Sequence, residues 1–229
     1  MKINDAIDTL VRLNGPVFTV YNMAKILGKS TAYTSLVLSK NKKIERIERG
    51  KYTLVDTDVY NIASNIVFPS YLSLQSGLQY YGLIDQNIIK FSVISLKWHK
   101  QVILRDKFKI EFLNISKDRF FGYTNKDGVY LASVEKLFLD CLYFGRPNLE
   151  ALIESLGTAI REGLIVIELL NKYALRMKSH VIINKLGFIL EKNGIKDGFL
   201  LKYRYKNYIK VHGFNTVGKD ENWRIIHDR

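Results

Sequence analysis

The sequence predicts an α+β protein of two domains, a small one at the N-terminus and a larger one after it. Two short helical segments separated by a glycine, followed by a basic hairpin pattern, indicate a first domain over residues 1–56. Short β-rich runs between residues 88 and 131, with helical periodicity after them, indicate a mixed α+β domain over residues 57–229. A sub-boundary near residue 147 is a further option within that domain.

The first domain begins with a supporting helix over residues 4–13, in which Ala6 and Ile7 belong to the apolar stripe. A second helix is predicted over residues 20–27. Thr19 is placed to cap its start, because a threonine side chain accepts a hydrogen bond from the first turn. Gly28 is placed to end it, since glycine enters the left-handed conformation without steric cost.

A third helix is predicted over residues 31–40, with Ser30 as its N-cap. In this interpretation Ala32 and Leu36 pack inward. The outward face would carry short hydroxyl side chains, which suit a helix lying in a DNA major groove. The residues expected on that face are Thr31, Thr34 and Ser35, with Tyr33 and Leu38 beside them.

Two strands over residues 44–48 and 51–55 are predicted to form a hairpin, because Gly50 permits a tight turn after Arg49. Three helices followed by a hairpin are typical of a winged helix-turn-helix domain, in which the last helix reads DNA and the hairpin is the wing. Residues 25–51 hold eight Lys or Arg and two Glu. The predicted DNA-binding residues are Lys29, Ser30, Thr31, Tyr33, Thr34, Lys40, Lys42, Lys43, Arg49 and Lys51.

Two other interpretations of this N-terminal region stay open. Helix-turn-helix units also dock proteins and occur inside enzymes, and a run of lysines can be an ordinary solvated face.

The second domain is expected to contain a small antiparallel sheet and several helices. Candidate strands lie at 91–96, 102–105, 108–115 and 129–131. Before them, Ser73 is placed to cap a helix that ends at Gly82. After them, a helix starts at Ser133, and its buried stripe is Val134, Leu137, Phe138 and Cys141.

Three charged residues of that helix, Glu135, Lys136 and Asp140, are expected off its buried stripe. Lys136 and Asp140 stand four residues apart, so they can pair on the surface, where such a pair contributes only tenths of a kcal/mol. A later helix carries Gly187 on its packed face, where a small residue would let another element approach closely.

Near the C-terminus, residues 199–206 alternate basic and apolar side chains, which predicts a strand with one basic and one largely aromatic side. Such a strand is either an ordinary half-buried strand with solvated lysines or a docking surface for an acidic protein or RNA. The candidate docking residues are Lys202, Arg204, Lys206 and Lys210.

The net charge of +13 and the pI near 9.6 favour an anionic partner. The excess is distributed over the whole chain, with +4 in residues 1–60, +4 in 61–130 and +5 in 131–229. A single cysteine, Cys141, excludes an internal disulfide and fits a reducing, cytoplasmic setting. No apolar run approaches the ~18 residues of a membrane span, so no membrane partner is expected.

No constellation typical of an enzyme is present, and we expect neither enzymatic activity nor a cofactor. The four histidines, His99, His180, His212 and His227, lack the spacing of metal ligands. Glu135 and Asp140 are five residues apart, so they point about 140° apart on a helix and are poorly placed to share one ion. No phosphate-binding or dinucleotide-binding glycine motif occurs. No metal site is expected.

The order of these elements resembles the AbiEi family, the antitoxins of type IV toxin–antitoxin systems associated with phage defence. The resemblance depends on IERIERGKYTL at 44–54, SYLSLQSGLQYYGLI at 70–84 and FFGYTNKDGVYLASVEKLFLDCLYFG at 120–145. Val134 stands where the family commonly has proline, a mild departure, since proline at that position only stiffens the first turn.

The resemblance implies a DNA-binding N-terminal domain that recognises inverted repeats in its own promoter and represses its operon. It also implies a C-terminal domain that neutralises a nucleotidyltransferase-like toxin, generally without a stable complex. Two alternatives stay open: a stand-alone winged-helix regulator with no toxin partner, and an RNA-binding or nucleic-acid-processing protein.

Overall fold

A computed structural model describes residues 3–12, 15–85, 87–212, 214 and 217–228 and confirms a mixed α+β fold. The chain forms two compact units. The first contains the residues up to Leu72 with Ile89–Asn114 and Asn125–Leu131, and the second contains Ser73–Ile88, Ile115–Thr124 and the residues from Ala132 on. The first unit thus extends beyond residue 56, and the boundary at residue 56 stays a prediction.

The first 54 residues form three helices and a three-stranded antiparallel sheet with the order β1-β3-β2. The helix predicted over 4–13 is present, although Leu13 lies outside the described residues. A small apolar core fixes these elements, and it includes Ile7, Met23, Leu38 and Tyr52. The elements are α1 (Ile3–Arg12), β1 (Phe18–Thr19), α2 (Val20–Leu27), α3 (Thr31–Lys40), β2 (Ile44–Glu48) and β3 (Lys51–Leu54).

The predicted ends of α2 and α3 are confirmed, together with the reasons for them. The Thr19 hydroxyl accepts a hydrogen bond from the Asn22 amide at 3.0 Å, and the Asn22 side chain accepts one from the Thr19 amide. This is a reciprocal capping box. Gly28 ends α2 in the left-handed conformation, with φ of 66°. The Ser30 hydroxyl accepts from the Tyr33 amide and caps α3.

The predicted inward face of α3 is wrong. Thr34 and Leu38 are the buried residues of this helix, whereas Ala32 and Leu36 are exposed. Burial of Thr34 is tolerated because its hydroxyl donates to the Ser30 carbonyl at 2.8 Å, so no polar group is left unsatisfied. Apolar and hydroxyl residues are mixed around this helix, so the sequence does not define one apolar stripe.

The rest of the first unit is built around a six-stranded sheet with the order β6-β7-β5-β4-β9-β8. The expectation of a small antiparallel sheet is wrong, because β5 pairs in parallel with β7 and β4 pairs in parallel with β9. The β6–β7 hairpin places β7, rather than β6, beside β5. The elements are α4 (Val59–Asn65), β4 (Ser70–Leu72), β5 (Lys90–Ser95), β6 (Val102–Leu104), β7 (Phe108–Asn114), β8 (Tyr123–Lys126) and β9 (Val129–Ala132).

The second unit is mainly helical, and α6 lies at its centre. Leu137, Phe138, Leu139 and Cys141 of α6 are completely buried, and the helix packs against α5, α7, α8 and α9. The buried position expected for Cys141 is therefore confirmed. The helices are α5 (Leu74–Tyr80), α6 (Val134–Phe144), α7 (Leu149–Arg161), α8 (Ile167–Arg176), α9 (His180–Lys192) and α10 (Gly198–Leu201).

The strand predicted over residues 199–206 is wrong. Asp197 caps the short helix α10, since its carboxylate accepts from the Leu200 amide at 2.8 Å, and Leu200 is completely buried. Further on, the Asn184 side chain bonds both backbone polar groups of Tyr205, which a strand would pair with its neighbours. The strands come later: β10 (Ile209–Val211), β11 (Gly218–Asp220) and β12 (Ile225–His227), in the order β10-β12-β11.

Candidate nucleic-acid interface

The turn between α2 and α3 is fixed by backbone bonds and caps within ten residues. The amides of Gly28 and Lys29 both donate to the Ala24 carbonyl, which closes the end of α2. Ser30 then starts α3 at once. Met23 and Leu27 of α2 and Leu38 of α3 belong to one core, so the two helices are held together by buried apolar contacts.

The face of α3 turned away from that core is exposed along its whole length. Tyr33 is 52% exposed and Leu36 is 54% exposed, and Thr31 and Ser35 are also exposed. Thr34 differs from the expectation, because it is completely buried and bonded to Ser30, so it is not available to a partner. The exposed face therefore offers two hydroxyls, a phenol and an apolar side chain.

Basic side chains surround this face. Lys29 precedes α3, Lys40 ends it, and Lys42 and Lys43 follow it, and all four are exposed. Within the described part of the chain, none of the four lies within 4 Å of a carboxylate. Their charges are thus not compensated by an intramolecular ion pair, and the helix face lies in a positive field.

The two residues predicted at the hairpin tip differ in their surroundings. Arg49 is exposed and makes no ion pair among the described residues. The Lys51 ammonium is only partly exposed, because it pairs with Glu48 at 2.9 Å and donates to the Ile66 carbonyl at 2.7 Å. Arg49 is therefore the more accessible of the two.

Glu48 is the acidic residue of the tip, and it is occupied within the molecule. Partial burial raises the pKa of its carboxyl, but Lys51 and His99 outweigh that effect, and the pKa lies below its ordinary value. Because Glu48 pairs with the Lys51 ammonium and bonds the His99 ring, its negative charge is partly compensated beside Arg49.

The sequence analysis missed one group of residues beside the hairpin. Arg46 is exposed on β2, and residues 97–100 form a loop that presents Lys97, Trp98 and Lys100 to solvent. A groove of about 320 Å³ lies between the hairpin and residues 100–103, where this loop ends and β6 begins. The run Lys-Trp-His-Lys at 97–100 could have indicated this group, because tryptophan is mostly buried in proteins and this one stands between basic residues outside the predicted strands.

The four candidate docking residues near the C-terminus do not share one strand face. Lys202 ends α10, and Lys206 lies in the segment before β10, and both are exposed. The Arg204 guanidinium donates to the Asn222 carbonyl, and Lys210 pairs with Asp228 at 2.8 Å. Two of the four are therefore engaged within their own unit.

The prediction that three charged residues of α6 lie off its buried stripe is wrong, since Glu135, Lys136 and Asp140 are all buried in the second unit. Lys136 and Asp140 pair as predicted, but both are completely buried, and the Ser73 hydroxyl donates to the same carboxylate at 2.9 Å. Ser73 consequently does not cap α5 with its side chain. Glu135 accepts instead from the Val166 amide at 3.0 Å.

The described residues offer neither a candidate metal site nor a helix that could span a membrane. The described residues contain no group of three or more His, Cys, Asp or Glu side chains that could hold an ion. Among the helices assigned above, none combines the length and the hydrophobicity needed to cross a bilayer.

Comparisons with known proteins assign neither a family nor a function to this chain. No protein-family model matches the chain, and no curated protein matches it.

Proposed function

We propose that this protein binds double-stranded DNA through a winged helix-turn-helix unit, with α3 as the reading helix and the β2–β3 hairpin as the wing. The observation that carries the proposal is the exposed face of α3. Tyr33 lies on it, Ser35 is exposed at its edge and Thr31 at the first turn, and the lysines around it have no carboxylate partners among the described residues. Side chains of this kind reach base edges and phosphates when a helix enters a major groove.

The lysines and Arg49 would supply the phosphate contacts. Such contacts fix the register of a protein on the duplex and release counterions, so that binding weakens steeply as salt is added. Thr34 is omitted from the proposed reading surface because it is buried, and the exposed Ser35 is added to it.

The test measures binding of the full chain to a labelled duplex from its own upstream region at several salt concentrations. Because Lys51 is engaged with Glu48, Arg49→Ala is the sharper wing variant, and Lys42→Ala with Lys43→Ala tests the helix end. Each lost phosphate contact should lower the slope of log K against log salt by about 0.9. Lys172→Ala, which removes an exposed lysine of α8, is the matched control and should leave the slope unchanged.

Tyr33→Ala tests the reading role of α3 separately from its charge. We expect it to reduce the preference for the upstream duplex over a scrambled one while the salt slope stays constant. Equal affinity of the unaltered protein for both duplexes, with no effect of the lysine variants, would remove DNA reading from the function.

We further propose that the protein is an autorepressor and antitoxin of the type IV kind, opposing a nucleotidyltransferase-like toxin encoded next to it. The resemblance of residues 44–54, 70–84 and 120–145 to the AbiEi family supports this proposal. The test is growth rescue during co-expression with the adjacent gene product. The triple variant Lys42→Ala, Lys43→Ala, Arg49→Ala should lose repression and keep rescue, whereas absence of rescue by the unaltered chain would overturn the antitoxin role.

A further inference from the structure

The loop at residues 97–100 exposes an aromatic side chain beside the hairpin. Trp98 is 79% exposed, more than any other large apolar side chain among the described residues. An indole ring left in water forgoes a large apolar contact, and tryptophan on a protein surface commonly marks a binding site. Trp98 is therefore a stronger candidate for a binding contact than a single exposed leucine.

The residues around Trp98 hold the loop in place. The His99 ring turns inward, where Nε2 bonds the Glu48 carboxylate at 3.1 Å and the ring packs edge-on against Phe112 at 4.7 Å. At the other end, the Lys97 amide donates to the Ser95 hydroxyl at 3.0 Å. Trp98 thus projects from an anchored loop, so little backbone entropy is lost when a partner covers it.

The charges around Trp98 favour an anionic partner. Lys97 and Lys100 flank it, and Arg46 and Arg49 line the adjoining groove together with Lys100. In the described ranges none of these four makes an ion pair, and the nearby Glu48 is already paired with Lys51 and His99. A second copy of this chain would bring like charges together, which disfavours self-association at this surface.

The position of the loop beside the hairpin favours duplex DNA over other anionic partners. His99 joins the loop directly to the hairpin that would act as the wing, and the tip residue Arg49 lines the same groove as Lys100. Proteins that approach the minor groove frequently insert an apolar side chain between base steps beside arginines and lysines.

We propose that the 97–100 loop is a second DNA-contacting element, in which Trp98 enters the minor groove beside the wing while Lys97 and Lys100 contact the flanking phosphates. This inference rests on the DNA-binding function proposed above. It extends the interface from the helix and hairpin of the first 54 residues to a connection between two strands of the six-stranded sheet.

The test uses the intrinsic fluorescence of the full-length protein, because the chain has only two tryptophans and Trp223 is 1% exposed. In free protein, acrylamide should quench the emission of Trp98. Addition of the upstream duplex should protect that emission, and Trp98→Phe should abolish the change, since only the buried Trp223 remains. Phe199→Ala, at an exposed aromatic of the second unit, is the control and should behave as the unaltered protein.

The affinity of Trp98→Ala for the same duplex is the second measurement. We expect a loss of about tenfold or more, with Trp98→Phe retaining part of the affinity, because a phenyl ring keeps part of the aromatic contact with the bases. Unchanged affinity and unprotected Trp98 in a protein that still binds the duplex would overturn this inference and leave the function of α3 intact.

Two other outcomes are distinguishable from that one. Failure of the unaltered protein to bind any duplex at low salt would overturn the DNA-binding function and this inference with it. Protection of Trp98 that depends on protein concentration without DNA, accompanied by a dimer in sedimentation that Trp98→Ala disrupts, would assign the surface to self-association instead.

Discussion

Lys136 and Asp140 form a buried ion pair in the middle of α6. Burial lowers the pKa of the Lys136 ammonium, and the neighbouring Asp140 carboxylate opposes that effect. The pair is compatible with the core because Ser73 donates to the same carboxylate, so the buried charges are compensated by both a counter-ion and a hydrogen bond.

Removing one member of this pair should destabilise the protein strongly. We expect Asp140→Asn to lower the free energy of unfolding by about 3–5 kcal/mol, because it leaves the Lys136 charge buried without its counter-ion. Urea unfolding measures the effect. Lys178→Met removes an exposed pair with Asp118 and should cost less than about 1 kcal/mol. Equal effects of the two variants would contradict the burial of Lys136.

Tyr81 supplies a prediction about pH. Burial, with the Glu135 and Tyr80 charges adding to it, raises the pKa of its phenol to about 12 from the ordinary 10.0. Its hydroxyl donates to the Ala132 carbonyl at 2.8 Å. Between pH 10 and pH 12 the Tyr81 phenol therefore stays protonated in the folded state and is deprotonated in the unfolded state. The contribution of the protonated phenol to the free energy of unfolding is complete below pH 10 and declines as the pH rises toward 12.

The measurement is a titration of ¹³Cζ-labelled tyrosines by NMR. The resonance that disappears in Tyr81→Phe should titrate near pH 12. In the same variant we expect a stability loss on the order of 1 kcal/mol at neutral pH from the missing hydrogen bond. Titration of that resonance at pH 10 would contradict the environment described for Tyr81.

At the scale of elements, the contact between α9 and the C-terminal segment depends on one glycine. Gly187 is buried on α9, and a Cβ built there would lie 2.2 Å from the Trp223 ring. The close approach predicted from the small residue on a packed face is confirmed. Trp223 is also bonded to the same helix, since its indole nitrogen donates to Glu191, one turn after Gly187, at 2.6 Å.

Gly187→Ala should therefore be destabilising by about 1–3 kcal/mol or more, because neither the helix nor the anchored indole can move apart without losing contacts. Gly198→Ala is the matched control. No atom lies within 4 Å of its Cβ, so the variant should be neutral or slightly stabilising. Thermal unfolding of both variants checks the difference, and a stable Gly187→Ala protein would mean that Trp223 does not pack on α9.

At the scale of the whole molecule, the first unit is assembled from segments far apart in the chain. Arg105, at the β6–β7 turn, joins two such segments. Its guanidinium bonds both Glu45 oxygens at 3.1 Å and the carbonyls of Val55 and Thr57 at 2.6 and 3.0 Å. The first 55 residues thus depend on residues about 50 positions later for part of their support.

Loss of Arg105 should loosen the N-terminal hairpin. We expect Arg105→Ala to cost about 1–3 kcal/mol and to increase hydrogen exchange in β2 and β3, because charged hydrogen bonds are among the stronger ones. Arg105→Lys should restore little of the lost stability, since an ammonium group cannot reproduce the planar array of donors of a guanidinium group. Unchanged exchange in both variants would show that the hairpin is stable without this support.

Features that depend on residues a few positions apart could be predicted from the amino-acid sequence. Thr19, Gly28 and Ser30 define where α2 and α3 begin and end, because caps and left-handed turns are local. The hairpin around Gly50 and the pairing of Lys136 with Asp140 follow from spacing alone. Of the ten residues proposed to bind DNA, eight are exposed in the structure, since charged and short polar side chains there rarely find buried partners.

Features that depend on distant residues became known only from the folded chain. Which face of α3 is buried was set by the core it meets, and this buried Thr34 instead of Leu36. The strand directions in the six-stranded sheet and the burial of Lys136 were set by distant partners, β7 and Ser73. The backbone groups of Tyr205, which a strand would pair, are bonded by the side chain of Asn184, 21 positions earlier. A short segment holds no information about such partners, because burial and strand pairing are energies of the assembled chain.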